Sequence, residues 1–169
     1  FQECSSHVME EGDLVAFDTD MVGAYGMMTD ISRTWICGDV QPDAQQRHVL
    51  ELAREQVERN IDLLRPGVTF HELSHKAWKP PVDEYRHYSV LFHGVGQCDE
   101  WPSIPFPESW EAGGYDGVIQ PGMVLTVESY VGAYVGGQGV KFENQVLVTE
   151  DGHENLSPWT LEADSFDVL

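Results

Sequence analysis

A chain of 169 residues with 41% hydrophobic content has enough apolar mass for one packed core, and a second domain is not expected. Its formal net charge of −20 argues strongly against nucleic acid as a partner, because phosphate binding needs clustered Lys and Arg. No apolar run approaches the roughly 18 residues that span a bilayer, and no signal-peptide pattern opens the chain, so a membrane partner is not expected either.

The chain starts at Phe1 and carries an acid-loaded strand within its first twenty residues, which reads as a piece of a longer protein whose N-terminal part is absent. Residues 13–17 form a buried strand, 18–25 continue it toward a turn, and 27–36 return as its hairpin partner, with Gly23 and Gly26 in the connection. Residues 43–64 give the clearest helix: Val49, Leu50, Ala53, Val57, Ile61 and Leu64 recur at helical spacing, and Pro66-Gly67 ends it. Thr69 and Glu72 form a capping box for a second helix through Trp78, stopped by Pro80-Pro81. An apolar stretch over 88–96 embeds His93, a Trp- and Pro-rich loop runs to Tyr115, and two strands over 123–130 and 140–149 precede a polar, acidic tail. Cys4, Cys37 and Cys98 are odd in number and form no CxxC pair, so no disulfide framework is expected and a reducing cytoplasm is the default compartment.

Residues 12–18 (GDLVAFD) and 122–128 (GMVLTVE) share a plan: a glycine opens an apolar strand that delivers a carboxylate six residues later, and a second acid follows on the next strand, at Asp30 and at Glu143. Asp18 and Asp20, two apart, leave one face of a strand. A carboxylate within an apolar strand is costly to bury unless it is paired or binds a cation. Taken singly, each acid also fits an edge-strand carboxylate facing water. Taken with His93, the set reads as a cage for divalent metal, since Lys and Arg are scarce. Arg33 and Lys141, beside proposed ligands, are expected to orient carboxylates. His71 and His75 share a helical face that is expected to be exposed.

The contexts FDTD, TDISRTW, FHGVG, LTVES and GVKFENQVLVTEDG, in that order, resemble the pita-bread metallopeptidase superfamily of methionine aminopeptidase, prolidase, aminopeptidase P and creatinase, across residues 12–156. The resemblance implies an α/β (α+β) pita-bread fold, a curved antiparallel sheet with helices on its outer face. It also implies that residues 1–169 are the C-terminal, metal-binding catalytic domain of a protein with a further N-terminal domain. Two divalent ions would be held by Asp20 or Asp18, or by both where DTD replaces DxG, together with Asp30, His93, Glu128 and Glu143, with Glu143 as the bridge.

Two departures from the peptidases carry information. The HGxG segment continues as Gln97-Cys98-Asp99-Glu100-Trp101, with acids where the peptidases bring a second histidine, and DTD replaces the usual DxG. These features, and FDTDMVGAYGMMTDISRTW with FHGVGQCDEWPSI, resemble the metal-dependent dimethylsulfoniopropionate lyases built on the same fold. That branch implies iron (alternatives Mn, Zn and Co), Asp99 as the base, a cytoplasmic homodimer, and elimination of dimethyl sulfide from dimethylsulfoniopropionate to leave acrylate. Tyr88 and Trp101 are the expected substrate-binding aromatics, with Trp110 and Tyr130 as further ring candidates for the sulfonium. The alternatives are a two-metal Xaa-Pro aminopeptidase or prolidase-like peptidase, and a non-catalytic binding module, which would be expected to have eroded ligands.

Overall fold

The longest helix begins where Asp43 accepts a hydrogen bond from the Gln46 backbone N–H and the Gln46 side chain accepts one from the Asp43 N–H, both at 2.8 Å. This capping box satisfies donors that a helix N-terminus otherwise leaves orphaned. In the computed structural model, which describes residues 6–134 and 138–157, α1 then runs over Ala44–Ile61 and buries Val49, Leu50, Ala53, Val57 and Ile61 along one stripe. A second capping box, between Thr69 and Glu72, starts α2 at Phe70–Lys76. It stops two residues short of the expected Trp78, because Ala77 is extended and the Trp78 N–H is taken by Asn60 Oδ1 at 2.8 Å. The acidic tail beyond residue 157 and Cys4 lie outside the described residues.

The first hairpin forms as expected but is interrupted. Its opening strand, expected to be buried, leaves Ala16, Phe17 and Asp18 exposed, since the main sheet rather than this strand lies against α1. β1 (Leu14–Asp18) pairs with β4 (Ser32–Ile36), and β2 (Met21–Val22) pairs with β3 (Met28–Thr29). Asp18 pairs with Ser32 and Met21 with Thr29, so one register runs through both ladders and sets Asp20 across from Asp30. Between the ladders the Thr19 hydroxyl accepts the Ile31 N–H at 2.8 Å, in place of a backbone bond. Asp20 has φ 32°, so it leaves the strand, and the expectation that strand alternation puts Asp18 and Asp20 on one face is corrected.

The main sheet is antiparallel, in the order β10-β9-β8-β6-β7, with β5 (Tyr85–Arg86) pairing the end of β8. β6 is Val90–Gly94, β8 is Val124–Ala133 and β9 is Gly139–Val148. Three short strands went unread in the sequence: β5, β7 (Ser103–Pro105) inside the expected loop, and β10 (His153–Asn155). β8 and β9 pair from Val124–Leu147 to Gly132–Gly139, and alternation gives the pair two faces. Leu125, Val127, Val131, Val140, Phe142 and Val146 are buried on the face toward α1, where the Ser129 hydroxyl donates to Gln56 Oε1 of that helix at 2.6 Å. The opposite face carries Thr126, Glu128 and Tyr130, matched across the ladder by Gln145, Glu143 and Lys141. β4 lies beside β9, joined through the Thr34 hydroxyl, which donates to the Lys141 carbonyl at 2.8 Å and accepts the Lys141 N–H at 3.0 Å.

The apolar face is the stability of the fold. Leu125→Ala, at a fully buried position, is expected to cost about 2–5 kcal/mol and Asp43→Ala about 1 kcal/mol, read as shifts in the denaturant midpoint.

Candidate metal centre

The ladder sets Glu128 directly opposite Glu143, both on the face away from α1 and both buried. Like charges so placed repel. His93 of β6 pairs with Thr126 and so joins the same face. Its Nε2 lies 3.3 Å from Glu143 Oε1, 3.6 Å from Glu128 Oε1 and 3.7 Å from Asp30 Oδ2. Asp30 arrives from the gap in the hairpin, its N–H donating to Gln145 Oε1 at 3.0 Å, and the Thr29 hydroxyl donates to the same oxygen.

Two groups of three donors result. Asp30, His93 and Glu143 bring ligand atoms within 4.8 Å of one another, and so do Asp20, Asp30 and Asp99. Asp30 belongs to both groups. Asp18 stands at the rim, accepting from the Ser32 hydroxyl at 2.6 Å, with Lys141 Nζ 3.2 Å from its other oxygen. Ser32 Oγ is also 2.7 Å from Glu143 Oε2, so one hydroxyl ties two acids together. Lys141 contacts Glu128 Oε2 as well and lies 3.9 Å from Glu143 Oε2, which supplies one positive charge among three carboxylates. Arg33 holds backbone: its Nη1 donates to the Glu143 carbonyl and its Nη2 to Asn144 Oδ1, with the guanidinium 4.3 Å from the centre of the Phe142 ring.

The donor set fits divalent metal. Asp30 Oδ1, Glu128 Oε1 and Glu143 Oε1 are buried and have no hydrogen-bond partner among the described residues. Orphaned buried acceptors are costly, and a cation satisfies several at once. Carboxylates with one imidazole suit Fe, Mn, Co or Zn.

Burial, together with the charges of Glu143 and Asp18, pushes the Asp30 carboxyl up to about 9. Burial likewise raises Glu128, to about 8, against the pull of Lys141. For His93, burial acts downward, but the adjoining Glu143 carboxylate, 3.3 Å away, and the charge of Glu128 prevail and raise it to about 10. Asp20 is raised by burial and by its neighbours Asp18 and Asp99. At Asp18 burial acts upward, but Lys141 and Ser32 outweigh it and hold the carboxyl below its usual range.

Asp99 lies on the loop after β6, with Oδ1 3.8 Å from His93 Nδ1 and accepting the Glu100 N–H at 3.1 Å. Gly94 lets this loop fold back: a Cβ there would sit 2.0 Å from the Trp101 carbonyl oxygen, and the Gly94 N–H donates to the Pro102 carbonyl at 2.8 Å. Of the aromatics, Tyr88 lines a cleft with Asp18 and Lys141. The Trp101 ring instead stacks on Tyr115 at 4.7 Å and lines a different depression with Gly94 and Cys98, so it does not share the Tyr88 cleft. Trp110 packs edge-on against the stacked rings of His71 and His75. Ser32 and Gln145 were missed as supports of the ligands. Each lies two residues beyond a ligand, and at Gln145 strand alternation alone would have placed it on the acid face.

Asp30, Glu128 and His93 hold protons to higher pH in the folded chain than in the unfolded one, where carboxyls titrate near 4 and imidazole near 6.5. The folded chain therefore binds more protons between about pH 4 and 10, and stability falls as pH rises through that window. The melting temperature of the metal-free protein is expected to drop between pH 6 and pH 9, and added divalent metal, which takes deprotonated ligands, to recover it. A flat profile with chelator present would contradict the clustering. Gln145→Leu, which frees the Asp30 N–H, is expected to weaken metal binding by about 10- to 100-fold in a competition titration.

Residues 1–150 match the metallopeptidase family M24. A protein named dimethylsulfoniopropionate lyase DddP from Roseovarius nubinhibens is 42% identical over 165 residues, covering 96% of this chain and 36% of that protein. An Xaa-Pro dipeptidase from Pyrococcus furiosus is 35% identical over 156 residues, covering 88% of this chain and 41% of its own. Among solved structures, the prolidase from Pyrococcus furiosus superposes with a TM-score of 0.69 at 32% identity over 92% of this chain and 44% of that one. The X-Pro aminopeptidase from Thermotoga maritima gives 0.73 at 25% identity, over 95% and 43%. The chain thus spans less than half the length of each relative. It belongs to metallopeptidase family M24, the dinuclear metal-dependent enzymes of the pita-bread fold.

Proposed function

We propose that this chain is the metal-binding catalytic domain, residues 1–169, of a dimethylsulfoniopropionate lyase with a further N-terminal domain, working as a cytoplasmic homodimer with two iron ions. The observation that carries the reading is Asp99. It is an acid grouped with Asp20 and Asp30 at the place where the peptidase pattern brings a histidine, and it comes with 42% identity to a protein of that name. The free thiols of Cys37 and Cys98 agree with a reducing compartment, and no described helix is long and apolar enough to cross a membrane.

Asp18, Asp20, Asp30, His93, Glu128 and Glu143 would hold the ions. Bound there, divalent metal supplies electrostatic stabilisation for the substrate carboxylate and for negative charge developing at the carbon beside it. The chain's own residues do the rest. The Asp99 carboxylate, half-buried on its loop, takes the proton from that carbon; the freed electron pair forms the new C–C double bond as the C–S bond breaks toward sulfur. Dimethyl sulfide and acrylate leave, the proton stays on Asp99, and no water is added. Tyr88 and the cleft beside Asp18 receive the substrate. Trp101, stacked on Tyr115, holds the loop that carries Asp99.

The test offers the protein dimethylsulfoniopropionate and an Xaa-Pro dipeptide side by side. Headspace dimethyl sulfide without free proline is the expected result; proline release without dimethyl sulfide would establish the prolidase-like alternative instead. Asp99→Asn is expected to lose about 100- to 10,000-fold in kcat while keeping its metal. Full activity in that variant would remove Asp99 as the base.

A further inference from the structure

The cleft beside the acids, about 380 Å³, is lined by Tyr88, Tyr130 and His87 and by Arg86, whose Nη2 donates to the Tyr134 carbonyl at 2.7 Å; its two tyrosines are not equivalent. The Lys141 ammonium lies 4.4 Å from the centre of the Tyr88 ring, so that π-face already holds a cation. Tyr130 faces Lys141 across the β8–β9 ladder, on the acid face of the sheet and half-buried. Among the described residues no hydrogen bond, ring pair or cation engages Tyr130.

Two glycines build the seat of Tyr130. Gly132 and Gly139 pair across the same ladder, and a Cβ on either would come within 2.6 Å or 2.5 Å of the Tyr130 hydroxyl oxygen. Neither has the positive φ that otherwise calls for glycine. What these two positions lack is side-chain bulk, and the room so made is filled by the phenol ring. Both lie at the hairpin end of the ladder, Gly132 one residue from the end of β8 and Gly139 opening β9, and the Tyr130 phenol reaches over them.

We propose that Tyr130 is the cation-binding wall of the substrate site, presenting its π-face to a compact onium group, sulfonium or quaternary ammonium, whose carboxylate points toward the acid-lined end. This deepens the lyase reading and rests on it. Lys141 keeps Tyr88 occupied, which leaves Tyr130 as the tyrosine wall of the cleft that holds no cation.

The experiment compares wild type with Tyr130→Leu, Tyr130→Phe and Gly132→Ala in two assays. One is dimethyl sulfide release; the other is binding of trimethylammonium propionate and of its neutral tert-butyl isostere. Tyr130→Leu is expected to raise KM about 10-fold with a smaller change in kcat, and to weaken the cationic ligand by a similar factor while leaving the neutral one nearly unchanged. Tyr130→Phe, which keeps the π-face, restores cation binding. Gly132→Ala, which crowds the ring out of its seat without backbone strain, reproduces the leucine variant and carries the test if that variant does not fold. Equal weakening of both ligands, or of neither, would overturn the proposal. Wild type that releases no dimethyl sulfide would overturn the lyase reading instead, and the contrast between charged and neutral ligand would still decide the role of Tyr130.

Discussion

Two glutamates facing each other across the centre of a sheet set the terms for everything else in this molecule. Glu128 and Glu143 are buried and directly paired, and a third acid and an imidazole are brought to the same point. Such an arrangement opposes folding unless positive charge is provided. Lys141 gives part of it from one strand position along, and the remaining unpartnered oxygens define where metal fits. The apolar half of the fold, with α1 against the other face of β8 and β9, is what holds the acids together against their repulsion.

The supporting contacts show how closely the cage is set. Gln145 fixes the hairpin at Asp30, Ser32 bridges Asp18 and Glu143, and Arg33 pins the backbone at Glu143. Each joins the hairpin to the main sheet or one ligand to another. The hairpin is coupled to β9 through side chains more than through a ladder, so its position depends on polar contacts of a few specific residues.

Much of this was legible in the sequence. The repeated plan of glycine, apolar strand and acid located both acid-bearing hairpins. The Thr69–Glu72 capping box fixed the start of α2, and helical spacing from residue 43 located α1. The misses have physical causes. β5, β7 and β10 are two or three residues long and carry no period of their own; they exist because β8, β6 and β9 offer them edges. The break at Asp20 was invisible because its register is intact and only the backbone torsion changes. Trp101 and Trp110 could not be assigned from residue type, since their partners, Tyr115 and the stacked histidines, are set by tertiary packing.

Most of the clustered acids and His93 sit on or against paired strands, whereas Asp99 sits on a loop that Gly94 allows to lie close over β6. The two parts are therefore separable. A lineage can rewrite the residues between His93 and Pro102 and change what the pocket does to a substrate, while the strands and their register stay as they were. Rigid cage and editable loop together make this architecture a host for unrelated reactions, with a single glycine as the condition for the exchange.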